Sequence, residues 1–477
     1  MADKEFSMQR AAKINAYGKY SNIIIQLVVN AILSRILSPE DYGVVAIVTV
    51  FSTFFLTISD MGFSTAIVQC KDLEQKDIDH IFSFTIFIGV MLSLLFTVLS
   101  YGISIFYKNN VYFGLGLILN ISLFLNTINM VPNGIMNREK RFTSIAVRTV
   151  TAGVVSAIIA IILAYLGFKY YSIVVQTTLT SIIIFTWNFF QTQPKLQFGG
   201  CINSVKKVIS YSGFQFAFNI VNYFSRNLDN LLTGRFFGSA DLGYYNKAYT
   251  LMLYPVNNLA GVITPVIHPL LSDFQHETNV IYKKYIKLLK FLFIIAGFVA
   301  PFCYLNASEL INILFGTNWS SSVKCFEFLS LAILPQFIGS ATGAIYQSLG
   351  KTKLLFYNAV LNTSITILAI LIGIFIGGNI TYLSLCVASA YIIHLFSTHF
   401  ILIQVGFGYK FYTFIKDIRL ELMISVAEYI ATLFFPLNIS NIFLSFFVKG
   451  MYLGIIYLFF LIITKEYKLL LSVISKR

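Results

Sequence analysis

Long apolar runs, broken at short intervals by glycine, proline, asparagine or charge, repeat from one end of the chain to the other. Each run holds roughly 20 residues and lacks the strict apolar–polar alternation of a half-buried strand. A run of this length matches a helix that crosses the hydrocarbon core of a membrane. We predict membrane-spanning helices at 15–37, 43–66, 81–106, 112–135, 146–167, 171–191, 210–236, 243–270, 288–306, 325–348, 355–377, 380–404, 418–436 and 441–464.

The composition agrees with this pattern. Of the 477 residues, 57% are apolar and 11% are charged, and the mean hydropathy is +0.77. A soluble domain carries about 25% charged residues, so this chain has too few charges to cover a water-facing surface. The composition therefore excludes a soluble enzyme and indicates an all-α polytopic membrane protein with about fourteen transmembrane helices.

Lysine and arginine concentrate in alternate loops. Most of the 34 basic residues fall in one set of connections, for example 138–141 and 283–290. Basic residues favour the cytoplasmic side of a membrane. We therefore expect a multi-pass membrane protein with both termini in the cytoplasm. The net charge of +14 is explained by these loops and by anionic membrane lipids, so no nucleic-acid partner is expected.

The chain resembles itself at a shift of 200 residues, which pairs Arg35 with Arg235, Asp41 with Asp241 and Gly43 with Gly243. In the helices just before these residues, the same shift aligns polar positions. Asn15, Lys19, Asn22, Gln26 and Asn30 align with Gln215, Asn219, Asn222, Arg226 and Asn230. Steps of three and four residues keep each set on one helical face.

Such a polar stripe must face a neighbouring helix or a water-filled cavity, because polar groups are costly in lipid. Hydrogen bonding between packed helices is one explanation. The repetition of the stripe, with the cations Lys19 and Arg226, favours a central cavity.

The repeat implies two parallel six-helix bundles at 1–191 and 210–404, joined by a cytoplasmic linker at 192–209. Two additional transmembrane helices and a cytoplasmic tail occupy 405–477. Because six is an even number, both bundles begin on the same side of the membrane. This arrangement is typical of transporters that rock two halves around a central site, which is alternating access.

Several segments resemble a known family. Residues 222–245 read NYFSRNLDNLLTGRFFGSADLGYY, 37–43 read LSPEDYG, 59–69 read SDMGFSTAIVQ and 314–319 read LFGTNW. They resemble the signature regions of bacterial Wzx-type flippases for lipopolysaccharide, colanic acid and teichuronic acid. The resemblance implies the fold of the multidrug/oligosaccharidyl-lipid/polysaccharide exporter superfamily. It also implies translocation of polyprenyl-pyrophosphate-linked oligosaccharide from the cytoplasmic to the periplasmic leaflet.

Such a substrate needs cations for its pyrophosphate and hydrogen-bonding side chains for its sugars. The candidates for the pyrophosphate are Arg226, Lys19, Arg148, Arg35 and Arg235, since guanidinium and ammonium groups bind phosphate oxygens. An ion pair with Asp229 is the alternative for Arg226, and interfacial snorkelling is the alternative for Arg35 and Arg235. The candidates for the glycan path are Asn15, Asn22, Gln26, Gln215, Asn219, Asn222, Asn230, Asn257 and Asn258.

Carboxylates within apolar stretches are candidates for ion coupling, and Asp60, Asp229 and Glu428 are the three here. We expect no catalytic residue, no cofactor and no metal site, because the five cysteines lack metal-ligand spacing. A proton or sodium gradient is the candidate energy source, with uncoupled flipping as the alternative.

Two other functions stay open at this stage. A related multidrug exporter moves small cationic compounds, but its cavity needs acids rather than the cations found here. A membrane-embedded polysaccharide polymerase or glycosyltransferase needs a long loop or a soluble nucleotide-sugar domain, and the connections between the predicted spans are short. Such enzymes of the same pathway are instead expected partners of the flippase.

Overall fold

The computed structural model describes residues 2–59, 63–69, 73–197, 213–260, 277–435 and 439–469. These described residues form helices and no strand. The chain divides into two compact units, Met1–Gly243 and Tyr244–Arg477.

The first unit contains nine described helices. They are α1 Ala2–Ile36, α2 Pro39–Ser59, α3 Phe63–Gln69, α4 Gln75–Phe106, α5 Val111–Ile128, α6 Met130–Arg138, α7 Phe142–Tyr165, α8 Tyr170–Thr192 and α9 Gly213–Phe236. Helix α10, Ser239–Pro255, begins at the end of this unit and continues into the second.

Helices α2, α4, α5 and α8 share the main core of the first unit. Its fully buried side chains include Ile47 of α2, Phe96 of α4, Leu115 of α5 and Val174 of α8. Helix α1 packs separately on α7, where its bulky residues meet alanines. Small residues on one helix let another helix approach closely, and the resulting van der Waals packing is one source of attraction between helices in lipid.

The second unit continues from α10. Its other helices are α11 Thr278–Leu305, α12 Ala307–Phe315, α13 Ser321–Ser330, α14 Ile333–Gly339, α15 Thr342–Ser348, α16 Thr352–Phe375, α17 Ile380–Ile401, α18 Phe411–Asp417, α19 Arg419–Leu433 and α20 Ile442–Thr464.

Some of these helices depart from regular α-helical geometry. The π-helix Val256–Ala260 follows α10, and a second π-helix, Leu402–Phe407, follows α17. The α10 helix ends at Pro255, which has no backbone N–H for the helical hydrogen bond. Helix α13 is bent by 44° relative to the Ile333–Ser348 stretch that follows it.

Nine of the described helical stretches are long and apolar enough to cross a membrane, or ten if the bent pair is one span. The surface of these helices is apolar. Helix α20 exposes Phe447, Met451 and Ile455 by more than half while it buries Ser445. A helix in water exposes polar residues and buries apolar ones, whereas α20 does the opposite. The prediction of an all-helical polytopic membrane protein is therefore confirmed.

Every predicted span overlaps at least one described helix, but the helix ends differ from the span ends. Residues 261–270 of the predicted span 243–270 lie outside the described part of the chain. Helix α1 begins at Ala2 although the predicted span begins at 15, because a helix can extend beyond the apolar zone. The count of about fourteen spans and the division into two six-helix bundles plus two helices stay predictions.

Candidate functional site

Helix α1 has two different exposed faces. Lys19 and Gln26 are exposed on the polar stripe, while Tyr20, Ile24 and Val28 are 46%, 62% and 52% exposed. At 3.6 residues per turn, the centres of these two faces lie roughly 160° apart. One exposed face therefore suits lipid, and the other suits a polar environment.

The remaining described residues of this stripe, Asn22 and Asn30, are half-buried. A Cβ atom added at Gly153 of α7 would lie 3.2 Å from Oδ1 of Asn22. Asn22 therefore packs on α7 at the edge of the stripe. The side chain of Asn15 lies outside the described part of the chain.

The aligned stripe on α9 is described in part. Arg226 is exposed, whereas Asp229 and Asn230 are 2% and 4% exposed. Oδ1 of Asp229 accepts a hydrogen bond from the backbone N–H of Asn230 at 2.8 Å. The side chains of Gln215, Asn219 and Asn222 lie outside the described part of the chain.

Arg35 and Arg235 occupy equivalent places in the last turns of α1 and α9, and both are exposed. The Arg235 guanidinium lies 4.9 Å from the centre of the Phe106 ring. A cation over an aromatic face is stabilised by the ring quadrupole. This contact places Arg235 beside Phe106, the last residue of α4.

Arg148 is the buried basic residue of the proposed set, at 6% exposure. Its Nη2 donates to Oδ1 of Asn133 at 2.8 Å, and its Nη1 donates to Oδ1 of Asn188. Asn188 in turn donates to Oδ1 of Asn129 at 2.8 Å. These three asparagines were not predicted as site residues, although each stands within an apolar stretch.

The second unit contains an equivalent contact. Asn358 donates to Oγ1 of Thr398 at 3.2 Å, and this pair is separated by 40 residues, as are Arg148 and Asn188. Asn358 stands as far from the start of α16 as Arg148 does from the start of α7. In each unit, a polar contact therefore joins two consecutive long helices at the same distance from the helix starts. The contact in the first unit includes a cation, and the contact in the second does not.

The LSPEDYG segment caps α2. The Ser38 backbone N–H and hydroxyl donate to Oδ2 of Asp41 at 2.9 and 2.8 Å, and the Asp41 N–H donates to the Ser38 hydroxyl at 3.2 Å. This reciprocal arrangement is a capping box, with Pro39 at the first helical position, where a missing N–H costs nothing.

Gly43 and Gly243, the paired glycines of the repeat, each lie against the first residues of the other's helix. A Cβ added at Gly43 would overlap the backbone carbonyl of Ser239, and one at Gly243 would overlap the carbonyl of Pro39. These residues all belong to the first unit. The contact is reciprocal at a shift of 200 residues, so glycine is required at both positions for the same steric reason.

Two aromatic residues of the LFGTNW segment contact the buried Lys247. Its side chain is 5% exposed, and its ammonium lies 4.7 Å from the centre of the Phe315 ring and 5.3 Å from that of Trp319. The two aromatic residues therefore surround a buried cation. The sequence gives no signal of this burial, because a single lysine near a span end is common.

The remaining candidates are separate from these clusters. Asn257 is exposed and Asn258 donates to the Tyr254 carbonyl at 2.9 Å. Glu428 is fully buried, at 0% exposure. Asp60 lies outside the described residues.

A family profile described as "Polysaccharide biosynthesis protein" matches residues 32–324. The chain belongs to this family. Among its relatives, the teichuronic acid biosynthesis protein TuaB of Bacillus subtilis is 25% identical over 336 residues, 70% of each chain. The lipopolysaccharide biosynthesis protein WzxC of Escherichia coli is 22% identical over 436 residues, 87% of this chain and 85% of WzxC.

Solved structures share the fold of this chain. The lipid II flippase MurJ in an inward closed conformation has a TM-score of 0.74 and 18% identity, covering 95% of this chain and 99% of MurJ. An inward-facing multidrug transporter of the MATE family has a TM-score of 0.62 and 14% identity, covering 85% and 95%. The resemblance seen in the sequence is thus confirmed.

Proposed function

We propose that this protein is a flippase that moves polyprenyl-pyrophosphate-linked oligosaccharide from the cytoplasmic to the periplasmic leaflet by alternating access. Family membership and relatives named for teichuronic acid and lipopolysaccharide biosynthesis support a role in surface polysaccharide production. The exporter-like fold supports transport as the activity.

The single observation that carries this proposal is the pair of exposed faces on α1. Lys19 and Gln26 need water or a polar ligand, while Ile24 and Val28 on the other face suit lipid. A helix between lipid and a polar cavity fits a substrate that has both a hydrocarbon tail and a charged, hydroxyl-rich head.

The pyrophosphate is proposed to bind the exposed cations Lys19 and Arg226 first, with Arg35 and Arg235 farther along the path. Arg148 is proposed to contact the pyrophosphate only if Asn133 or Asn188 gives up its hydrogen bond. Exposed cations on the stripe favour an anionic substrate over the small cationic compounds of the multidrug alternative.

Amide side chains along the same path are proposed to bind the sugars, since amides both donate and accept hydrogen bonds. They are Asn15, Asn22, Gln26, Gln215, Asn219, Asn222, Asn230, Asn257 and Asn258. Asp60, Asp229 and Glu428 stay candidates for coupling to a proton or sodium gradient.

The protein is proposed to lie in the bacterial inner membrane with both termini in the cytoplasm. The basic residues of alternate loops support this orientation. Polysaccharide polymerase and glycosyltransferases of the same pathway are the proposed protein partners.

Replacing Arg226 by alanine tests this function. We expect Arg226→Ala to reduce glycan export at least about tenfold, because a hydrogen bond to a charged group contributes about 1.5–3 kcal/mol. Lipid-linked oligosaccharide should accumulate in the cytoplasmic leaflet. Surface glycan and the leaflet distribution of the lipid-linked precursor are the quantities to measure in cells that carry the pathway.

Lys283→Ala is the matched control, because Lys283 is an exposed basic residue at the start of α11, outside the stripe. It should export normally. Protein content of the membrane fraction shows whether each variant inserts. Normal export by Arg226→Ala would remove Arg226 from the substrate path.

A further inference from the structure

The helices α11, α12, α19 and α20 contain two ion pairs that use lysines within apolar surroundings. Lys290 of α11 lies 2.9 Å from Oε1 of Glu421 of α19, whose side chain is fully buried. Lys449 of α20 lies 2.6 Å from Oε1 of Glu309 of α12, and the same oxygen accepts a hydrogen bond from Ser445. Each lysine is therefore already neutralised by its own carboxylate.

Glu428 is a third carboxylate among these helices. It stands two turns after Glu421 on the same face of α19 and is 0% exposed. Within the described residues, neither of its carboxylate oxygens has a hydrogen-bond partner. Its position is about 14 Å along the helix from Arg419, close to half the thickness of the hydrocarbon core.

The two ion pairs lie on either side of Glu428 along α11. Lys290, in the first half of α11, pairs with Glu421. Lys449 donates to the carbonyl of Leu305, the last residue of α11, at 3.1 Å. No further lysine or arginine pairs with Glu428 in the part of the chain that the structure describes.

The tyrosine hydroxyl groups of α20, which packs against α19, already donate hydrogen bonds. The Tyr457 hydroxyl donates to the Ile294 carbonyl, and the Tyr452 hydroxyl donates to the Ala431 carbonyl at 3.1 Å. The titratable or charged groups on the elements that pack against α19 are Tyr282, Lys283, Lys284, Tyr285, Lys287, Lys290, Cys303 and Tyr304 on α11, Tyr412, Lys416 and Asp417 on α18, and Lys449, Tyr452 and Tyr457 on α20, while Arg419, Glu421 and Tyr429 are on α19 itself.

An ionised carboxylate in this place would be a buried charge without compensation. That costs several kcal/mol, so such a group takes up a proton instead. A metal ion would need additional ligands, and the described residues contain no group of three or more His, Cys, Asp or Glu side chains that could hold one.

We propose that Glu428 is a proton-binding site in the C-terminal helices, and that this proton couples glycan transport to the transmembrane proton gradient. The coupling role rests on the proposed flippase function, whereas proton binding does not. The carboxyl group holds the proton while α19 packs closely on α11, where Ser425 fills the space beside Gly297. When water reaches Glu428, the O–H bond breaks and the proton passes to water, leaving the carboxylate hydrated.

Proton binding is tested on the full-length protein in lipid vesicles by infrared difference spectroscopy during a pH titration. The wild-type protein should show the carbonyl band of a protonated carboxylic acid, and Glu428→Gln should lose it. Glu421→Gln is the matched control, because it removes a paired carboxylate from the same helical face and should keep the band. An identical band in wild type and Glu428→Gln overturns the proton site.

Coupling is tested by glycan export under an imposed pH gradient. One proton per cycle changes the export equilibrium about tenfold for each pH unit of gradient. We expect the wild-type protein to show this dependence and Glu428→Gln to lose it, while Glu428→Met serves as a second neutral variant if the amide inserts poorly. Equal dependence on the gradient in wild type and both variants overturns the coupling role.

Two further outcomes separate the possibilities. A response to an imposed sodium gradient that Glu428→Gln abolishes, without any carboxylic acid band, overturns the proton in favour of sodium. If the wild-type protein shows the band but moves no lipid-linked oligosaccharide, the flippase function and the coupling role fail while the proton site stands.

Discussion

Three basic residues of the proposed site differ in their surroundings. Lys19 and Arg226 are exposed on their helices, whereas Arg148 is buried and donates to Asn133 and Asn188. A buried guanidinium held by two amides also positions α6, α7 and α8 relative to one another. The residue therefore has a structural role in addition to its proposed contact with substrate.

Substituting Arg148 should reveal this structural role. We expect Arg148→Met to lower the free energy of unfolding by about 1–3 kcal/mol, because both amide oxygens lose their donor in a buried place. The thermal unfolding midpoint of the purified protein in detergent measures this loss. Lys19→Met, at an exposed position, should change stability by less than about 0.5 kcal/mol. Equal midpoints for Arg148→Met and wild type would mean that Arg148 does not hold these helices together.

The sequence pointed to the candidate cations but not to the residues that contact them. A lysine or arginine within an apolar stretch is visible as an exception to the pattern, as Lys19, Arg148 and Arg226 are. An asparagine in such a stretch is common, and only the packing of α7 against α8 brings Asn188 to Arg148. Burial of Lys247 depends in the same way on the distant residues Phe315 and Trp319.

At the scale of helices, the close contact between the starts of α2 and α10 depends on Gly43 and Gly243. We expect Gly43→Ala to lower the thermal unfolding midpoint. The methyl group of the alanine would overlap the Ser239 carbonyl, so the backbone would have to move. Forced overpacking of this kind costs about 1–3 kcal/mol. The reciprocal substitution, Gly243→Ala, should act in the same direction because it meets the Pro39 carbonyl.

Gly102→Ala is the control for this pair. Gly102 lies within α4, and a Cβ added there meets nothing within 4 Å. Alanine is favoured over glycine in a helix by up to about 1 kcal/mol, so this substitution should leave the midpoint unchanged or raise it. If Gly43→Ala behaved like Gly102→Ala, the close approach of the two helix starts would not be required for the fold.

Hydropathy located helices well and their ends poorly. The predicted span 146–167 overlaps α7 almost completely, because charged or small residues flank a run of apolar ones. The span 325–348 instead contains a bent succession of short helices. Hydropathy reports which residues prefer lipid, whereas bends and π-helices depend on local backbone hydrogen bonds that it does not record.

At the scale of the molecule, the two units share local features that the sequence repeat did not include. The Arg148–Asn188 and Asn358–Thr398 contacts occupy the same places in their helices, yet Arg148 and Asn358 are different residues and do not align at a shift of 200. The two contacts are offset by 210 residues and use different residue types, so a comparison at a shift of 200 does not find them. These contacts support the proposed duplication independently of the Arg, Asp and Gly pattern.

The proposed duplication makes a prediction about membrane topology. Two bundles with an even number of spans both begin in the cytoplasm, so both termini and the loops at Arg141 and Lys351 should be cytoplasmic. The short turns at Lys108 and Lys169 should be periplasmic. We expect green fluorescent protein fused after Arg477, or inserted at Arg141 or Lys351, to fluoresce.

Alkaline phosphatase provides the complementary measurement, because it becomes active only after export to the periplasm. Fusions truncated after Lys108 or Lys169 should therefore be active, and those truncated after Arg141 or Lys351 inactive. A miscounted span would reverse the side of every loop after it, so the first fusion with unexpected activity locates the error. Phosphatase activity after Lys351 with none after Arg141 would contradict the parallel repeat, since the second bundle would then have the opposite orientation.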